Sequence, residues 1–169
     1  MARAGEIERT VQQSVLDRLI DEEPRLAGDP AMTMSDSVLL LKQSLRRDLE
    51  WLLNTRRTPQ ATPDACDEVR QSLWRYGLPD VSSLHRDAPD TASRLALEVE
   101  EAIELFEPRL AGARVSLAEQ ESGGERRIHF VIEAMLRMDP TPERVVFDTV
   151  LDITSNEFEV QHMGTAAAG

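Results

Sequence analysis

Apolar residues in the first half of the chain recur every three or four positions, which is the spacing of an amphipathic helix. The pattern predicts four helices, over about 6–21, 36–54, 64–76 and 90–106. The apolar positions expected to be buried are Ile7, Val11, Val15 and Leu19 in the first helix, Val38, Leu41, Leu45, Leu49 and Leu52 in the second, Val69 and Leu73 in the third, and Leu95, Val99, Ala102, Ile103 and Phe106 in the fourth.

Capping and breaking residues support these helix boundaries. Asp36 or Ser35 is the expected N-cap of the second helix, because a short side-chain oxygen there can accept a hydrogen bond from a free backbone N–H. Gly77 suits the left-handed position that follows a helix, and Pro79 prevents the helix from resuming. Residues 28–30, Gly-Asp-Pro, form a linker after the first helix.

In the second half the spacing of apolar residues changes to two, which is typical of strands. The change comes after Ala111 and Gly112. The positions expected on one face are Val115 and Leu117, then Ile128, Phe130, Ile132, Ala134 and Leu136, then Val145, Phe147, Thr149, Leu151 and Ile153, and last Phe158 and Val160. Residues 122–124, Ser-Gly-Gly, predict a hairpin, and residues 155–156, Ser-Asn, predict a turn.

Helices followed by consecutive strands predict an α+β domain, in which N-terminal helices pack on a small antiparallel sheet of three to four strands. The expected organisation is an N-terminal helix and linker at 1–30, the α+β domain at 31–162, and a disordered tail at 163–169.

Composition narrows the classes of function. The formal net charge of -12 argues against nucleic acid and anionic membranes as partners, because both bind mainly through Lys and Arg. A protein partner is therefore expected. The single cysteine, Cys66, excludes an internal disulfide and fits a reducing cytoplasm. We expect neither a signal peptide nor a membrane span.

The sequence gives little indication of a catalytic site. Glycoside hydrolysis needs two carboxylates facing each other across a cleft, but acids every three residues along a helix, such as Glu98, Glu101 and Glu104, are typical of a solvated face. Asp148 and Asp152 stand on the less apolar strand face. The three histidines show no metal-ligand spacing with one another or with the cysteine. We predict that the chain is not an enzyme and needs no cofactor and no metal.

The triplet Glu107-Pro108-Arg109 is the most informative motif. Pro108 lacks an N–H and clashes with the preceding turn, so the fourth helix must end or kink there. Arg109 would then lie near the helix C-terminus, where a cation is favoured. Two readings stay open: a local ion pair, or a partner-binding site in which the guanidinium holds a partner's carboxylate. On the second reading, Glu107→Arg would leave the monomer folded and abolish assembly.

Arg46, Arg47, Arg56 and Arg57 form a basic island in an acidic chain. If the second helix persists, the first and last of them share one stripe. The island is either a solvated face paired with neighbouring acids or a surface that docks on an acidic protein. Trp51 in the same segment is packing or, if exposed, a candidate interface residue.

The last strands offer a further binding mode. An open sheet edge can accept a strand from another chain. Glu157 and Glu159 could instead protect that edge by their charge.

Several segments resemble one known family, in the family's order. Residues 45–56, LRRDLEWLLNTR, and residues 76–80, YGLPD, resemble the helix signature and following turn of the TssE family of type VI secretion baseplate subunits. Residues 106–110, FEPRL, are similar to the Glu-Pro-Arg motif that this family shares with lysozyme-like phage baseplate wedge proteins. Further resemblances are at 16–19, LDRL, at 130–134, FVIEA, and at 146–149, VFDT.

The resemblance implies a structural role inside a baseplate wedge with TssF, TssG and TssK, beneath a contractile sheath of TssB and TssC whose assembly the domain seeds. It implies a cytoplasmic location at the inner face of the bacterial inner membrane. It also adds Asp17 and Arg18 to the candidate wedge-docking residues. Two alternatives stay open: a regulatory adaptor of the same fold that binds a signalling protein, and a muramidase.

Overall fold

The computed structural model describes residues 14–20, 33–60, 67–80, 89–118, 127–139 and 141–165. Its helices are α1 (Val15–Leu19), α2 (Met34–Asn54), α3 (Asp67–Arg70) and α4 (Pro89–Phe106), with a 3-10 helix at Leu73–Arg75. Its strands are β1 (Leu110–Leu117), β2 (Arg127–Leu136), β3 (Glu143–Asp152) and β4 (Glu157–Thr165). The chain divides into two compact units, residues 1–47 and 48–169, and the boundary falls inside α2.

The first unit contains α1 and the beginning of α2. Ser14 caps α1, since its Oγ accepts a hydrogen bond from the N–H of Asp17 at 3.2 Å. Val15 and Leu19 are 73% and 76% exposed. The apolar stripe of this helix was expected to be buried, so the prediction is wrong at these two described positions. Residues 6–13 of the expected helix lie outside the described residues.

The N-terminus of α2 differs from the expectation in its cap. Thr33 is the N-cap: its Oγ1 accepts from the N–H of Asp36, and its own N–H donates to the carboxylate of Asp36, both at 3.2 Å. This reciprocal arrangement is a capping box. Asp36 is therefore the third helical residue rather than the cap. The expected stripe is confirmed at four buried leucines, Leu41, Leu45, Leu49 and Leu52, whereas Val38 is half-buried.

The third predicted helix is broken. It forms α3 and a separate 3-10 helix, because the Oγ of Ser72 caps the second piece by accepting from the N–H of Trp74 at 3.2 Å. Leu73 is 80% exposed, which contradicts its predicted buried place. Gly77 has φ +93°, as predicted, and a Cβ there would lie 2.2 Å from the carbonyl oxygen of Thr55. Only glycine fits this crossing of two backbones.

The four strands form one antiparallel sheet in the order β1-β2-β3-β4, which confirms the α+β class. α4 packs on β1, and its predicted stripe is buried except for the half-buried Phe106. The buried sheet face is mostly the predicted one: Phe130, Ile132, Ala134, Leu136, Val145, Phe147, Thr149, Leu151, Phe158 and Val160.

Three strand boundaries differ from the expected ones. β1 already begins at Leu110, and Gly112, at φ +60°, lies in the irregular stretch between Ala111 and Arg114. β3 ends at Asp152, before Ile153. β4 runs to Thr165 and pairs with β3 there, so it extends into the segment expected to be a tail from 163. The turn at 155–156 is confirmed, with Asn156 at φ 58°, whereas residues 122–124 lie outside the described residues.

Candidate functional site

The Glu107-Pro108-Arg109 triplet forms the turn between α4 and β1. α4 ends at Phe106, as Pro108 predicts, and the N–H of Glu107 still donates to the carbonyl oxygen of Ile103 at 2.9 Å. The N–H of Leu110 then donates to the carbonyl oxygen of Glu107 at 3.1 Å. The turn therefore leads directly from the last helical hydrogen bond into the first residue of the sheet.

A three-residue ion cluster fixes this turn. The carboxylate of Glu107 accepts from Nε, Nη2 and the backbone N–H of Arg109, at 2.7, 2.5 and 3.2 Å. Nη2 of Arg109 also donates to Oδ2 of Asp48, on α2, at 2.6 Å. Glu107 is only 5% exposed, whereas Arg109 and Asp48 are half-buried. In the monomer, the local ion pair is thus realised, and the accessible part of the cluster is the guanidinium beside Asp48.

The electrostatics of the cluster match its geometry. Burial lowers the pKa of Arg109, but the hydrogen bonds and charges of Glu107 and Asp48 outweigh it and raise that pKa above its ordinary value. Burial, together with the charges of Asp48 and Glu107, raises the pKa of Tyr76. The ring of Tyr76 meets that of Phe106 edge-on, with centroids 5.2 Å apart. Aromatic packing and the ion cluster therefore both stabilise the turn between α4 and β1.

The burial of Glu107 bears on the predicted effect of Glu107→Arg. A second guanidinium at this position would face Arg109 with little solvent to screen it. We therefore expect that change to destabilise the monomer, against the expectation from the sequence. A role for the triplet in binding a partner stays a prediction.

The candidate docking residues of the first unit have different environments. Oδ1 of Asp17 accepts from Nη2 of Arg47 at 2.7 Å, and Oδ2 accepts from the hydroxyl of Ser14 at 2.5 Å. Burial raises the pKa of Asp17, but these hydrogen bonds from Ser14 and Arg47 outweigh it and hold the pKa below its ordinary value. Arg18 and Arg46 are exposed. Asp17 and Arg47 thus tie α1 to α2 by a polar contact.

The four arginines of the basic island do not form one helical stripe. α2 ends at Asn54, so Arg56 and Arg57 follow the helix, and the condition for the stripe is not met. Nη2 of Arg57 donates to Oε2 of Glu98 at 2.8 Å. Arg56 is exposed. Trp51 is 51% exposed, which is the condition under which the sequence favours an interface role for it.

Both edges of the sheet are partly occupied by helix side chains, which the sequence did not indicate. The side-chain amide of Asn54 donates to the carbonyl oxygen of Phe158 at 2.9 Å and accepts from its N–H at 2.8 Å. Oε1 of Glu50 accepts from the N–H of Val160 at 3.4 Å. On the other edge, Oε2 of Glu100 accepts from the N–H of Val115 at 3.2 Å. Glu157 and Glu159, the expected protectors of the β4 edge, are exposed.

Metal binding and membrane insertion find no support in the described residues. Within those ranges, no group of His, Cys, Asp and Glu side chains is arranged to hold a metal ion. Among the same residues, no helix combines the length and the apolar character that crossing a bilayer requires.

A comparison with known protein families gives one match. The family model described as Baseplate wedge protein gp25 matches residues 40–141, which is more than half of the chain. The match includes the resembling segments 45–56, 76–80, 106–110 and 130–134. Comparisons with curated proteins and with solved structures found no match.

Proposed function

Since the chain belongs to the baseplate wedge protein gp25 family, and so has a structural role in a baseplate, we propose that it is the TssE-type subunit of a type VI secretion system. It joins TssF, TssG and TssK in the wedge and acts as the template on which sheath subunits TssB and TssC begin to assemble. It works by binding and catalyses no reaction. The complex forms in the cytoplasm at the inner face of the bacterial inner membrane.

The observation that carries the proposal is the family match over 40–141. It spans most of α2, all of α4 and the first two strands, and it includes the ion cluster at Glu107 and Arg109. The segment that resembles TssE in particular, residues 45–56, lies within the match. The choice of a secretion baseplate over a phage tail rests on that resemblance.

Wedge docking is supported by the surface of the helices. α1 is held by the charged contact between Asp17 and Arg47, while its large apolar side chains are exposed. An apolar helix face exposed in this way is unfavourable in water and is suited to a groove on a partner. Trp51 adds a large exposed ring on α2, and aromatic residues of this kind dominate binding hot spots.

The ion cluster supports an additional contact. Arg109 binds Glu107 and Asp48 through Nε and Nη2, and its guanidinium is part-exposed. We propose that a carboxylate of a neighbouring subunit approaches the exposed side of this guanidinium. Because the cluster joins α2 to the start of β1, such a contact would fix the partner relative to the sheet.

Sheath templating is supported by the order of the strands. β1 and β4 are edge strands, and an edge strand can pair with a strand from another chain through backbone hydrogen bonds. Asn54 and Glu50 cover the backbone of β4 at Phe158 and Val160. Residues 161–165 of β4 are the stretch that we propose for pairing with a sheath strand.

Affinity purification of the tagged chain at moderate salt, followed by identification of its partners, tests the proposal. TssF and TssG are expected; a signalling protein in their place would favour the adaptor, and turnover of peptidoglycan by the pure protein would favour the muramidase. Val15→Asp with Leu19→Asp should abolish recovery of TssF and TssG. Leu97→Asp, at an exposed position of α4, is the matched control and should not.

A further inference from the structure

A groove lies beside the point where the chain after α2 pairs with the chain after the 3-10 helix. The N–H of Arg57 donates to the carbonyl oxygen of Leu78 at 2.7 Å, and the N–H of Leu78 donates to that of Thr55 at 2.9 Å. These backbone bonds join the two walls. The groove has a volume of about 760 Å³, which is large enough for several side chains of a peptide.

Four arginines line this groove in a chain whose net charge is -12: Arg56, Arg57, Arg70 and Arg75. Two are partly neutralised, because Arg57 bonds to Glu98 at 2.8 Å and Arg75 bonds to Glu101 at 3.0 Å. Each of these ion pairs uses one guanidinium nitrogen, Nη2.

The remaining two arginines supply the surplus charge. Arg56 is exposed and makes no ion pair within the ranges that the structure describes. Arg70 is exposed, and its contact with Asp67 is long, at 3.7 Å between two exposed side chains, so it contributes little stability. Asp80 also lines the groove. The positive charge that ion pairs neutralise least is that of Arg56 and Arg70, and both side chains are exposed to a ligand.

An aromatic wall accompanies the charge. Trp74 lines the groove and is exposed, and its Nε1–H donates to the carbonyl oxygen of Gln60 at 3.4 Å. This long contact places the indole beside the opposite wall. Pro59 and Pro79 also line the groove and limit the backbone freedom of its rim. A ring beside guanidinium groups is suited to an extended peptide, whose stem packs on the ring while its carboxylates meet the arginines.

We propose that this groove binds an acidic peptide segment of a neighbouring baseplate subunit. The partner is assigned by charge complementarity, and the inference rests on the proposed function only for the source of the segment. A nucleic acid is disfavoured, since the acidic chain would repel a long polyanion beyond the groove. The proposal gives the basic island a role through Arg56 and Arg57, in a site that also needs arginines from α3 and the 3-10 helix.

Binding of a fluorescein-labelled octaglutamate peptide, measured by fluorescence anisotropy at about 50 mM salt, tests this. Arg56→Glu with Arg70→Glu should weaken binding at least tenfold. Arg114→Glu with Arg144→Glu changes the net charge equally at two exposed arginines on the sheet, and should weaken it less than threefold. Arg56→Gln with Arg70→Gln removes the charge without adding acids and should also weaken binding.

Trp74 provides an independent readout. The chain has two tryptophans, so Trp51→Phe leaves Trp74 as the only one, and its emission should change when octaglutamate binds.

The proposal is overturned if octaglutamate does not bind, if both double glutamate variants lose affinity equally, if inorganic phosphate competes as well as the peptide, or if a single-stranded DNA oligomer binds more tightly. Failure of peptide binding while TssF and TssG still co-purify rejects this site alone. Peptide binding without TssF and TssG rejects the proposed function and keeps the groove.

Discussion

The buried carboxylate of Glu107 offers the sharpest test of how the turn between α4 and β1 is held. Glu107→Gln keeps the shape of the side chain but replaces one oxygen with an NH2 group. The carboxylate accepts three hydrogen bonds, all from Arg109. In the variant, the amide NH2 faces a guanidinium N–H, so at least one charged hydrogen bond is lost and two donors point at each other.

The expected loss of stability follows from the burial of the pair. Breaking a fully buried ion pair costs about 3–5 kcal/mol, and one hydrogen bond to a charged group contributes about 1.5–3 kcal/mol. Arg109 keeps Asp48 at 2.6 Å and some contact with water, so the upper range does not apply. We expect the free energy of unfolding to fall by about 2 kcal/mol.

Urea unfolding followed by far-ultraviolet circular dichroism measures this loss. With an m value of about 2 kcal/mol per M, the midpoint should fall by about 1 M. Glu133→Gln is the matched control: it removes the same charge from an ion pair with Arg144 at 2.8 Å, but both side chains are about half exposed. The control should lose less than about 0.5 kcal/mol.

The comparison assumes that the m value of each variant stays that of the parent. If Glu107→Gln and Glu133→Gln shift the midpoint equally, burial does not strengthen the Glu107–Arg109 pair, and the reasoning about the cluster is wrong. If Glu107→Gln alone shifts it, the motif stabilises the fold whatever its role in assembly.

Three further outcomes follow from the structure. Gly77→Ala should lower the free energy of unfolding by more than about 2 kcal/mol, because the new Cβ would lie 2.2 Å from a backbone oxygen. The Cβ of Gly112→Ala meets nothing within 4 Å, so this variant should lower that free energy by only about 1 kcal/mol, the cost of a left-handed backbone at a residue with a side chain. Similar urea midpoints for the two variants would contradict this. Thr149→Val should raise the free energy of unfolding by about 1 kcal/mol and the Tm by about 2–4 °C in a thermal melt. The reason is that Oγ1 of Thr149 is buried and makes no hydrogen bond within the described residues. A lower Tm would indicate that this hydroxyl does have a hydrogen-bond partner. The pKa of Asp17 lies below its ordinary value, so its bond to Arg47 stabilises α1 above about pH 4 and is lost as the pH falls through the lowered pKa. The protection factors of the amides at 14–20, which compare the exchange rate with the intrinsic rate at the same pH, should therefore fall at low pH. Asp17→Asn should show the low protection factors already at neutral pH.

Periodicity was sufficient for the elements that bury one continuous face. The stripe of α2 from Leu41 to Leu52 and the alternation in β2 and β3 were predictable because burial leaves few side-chain types at those positions. Short elements were less predictable. Ser72 could end α3 early because one hydroxyl hydrogen bond competes with a weak helical pattern. Thr33 took the cap because Asp36 could complete the reciprocal pair with it.

The site was predictable only in part, for a different reason. That Pro108 ends α4 is local information, since it depends on the ring and the missing N–H alone. That Arg109 reaches Asp48, 61 positions earlier in the chain, depends on how α2 and the turn pack. The groove likewise combines Arg56 with Arg70 and Trp74, and no local pattern relates those positions.

The protection of the sheet edges limits how a partner strand can add. A strand that pairs with β4 at Phe158 must displace both hydrogen bonds from Asn54, whose amide occupies the N–H and the carbonyl oxygen as a neighbouring strand would. Asn54 is exposed, so displacing its amide would cost about 0.5–1.5 kcal/mol for each of the two hydrogen bonds. Among the described side chains the structure shows no amide bound in this way to the backbone of 161–165, and Val145, Val146 and Phe147 of β3 pair with that stretch from the other side. If the domain does template a sheath, the end of β4 is therefore the favourable place for the first added strand.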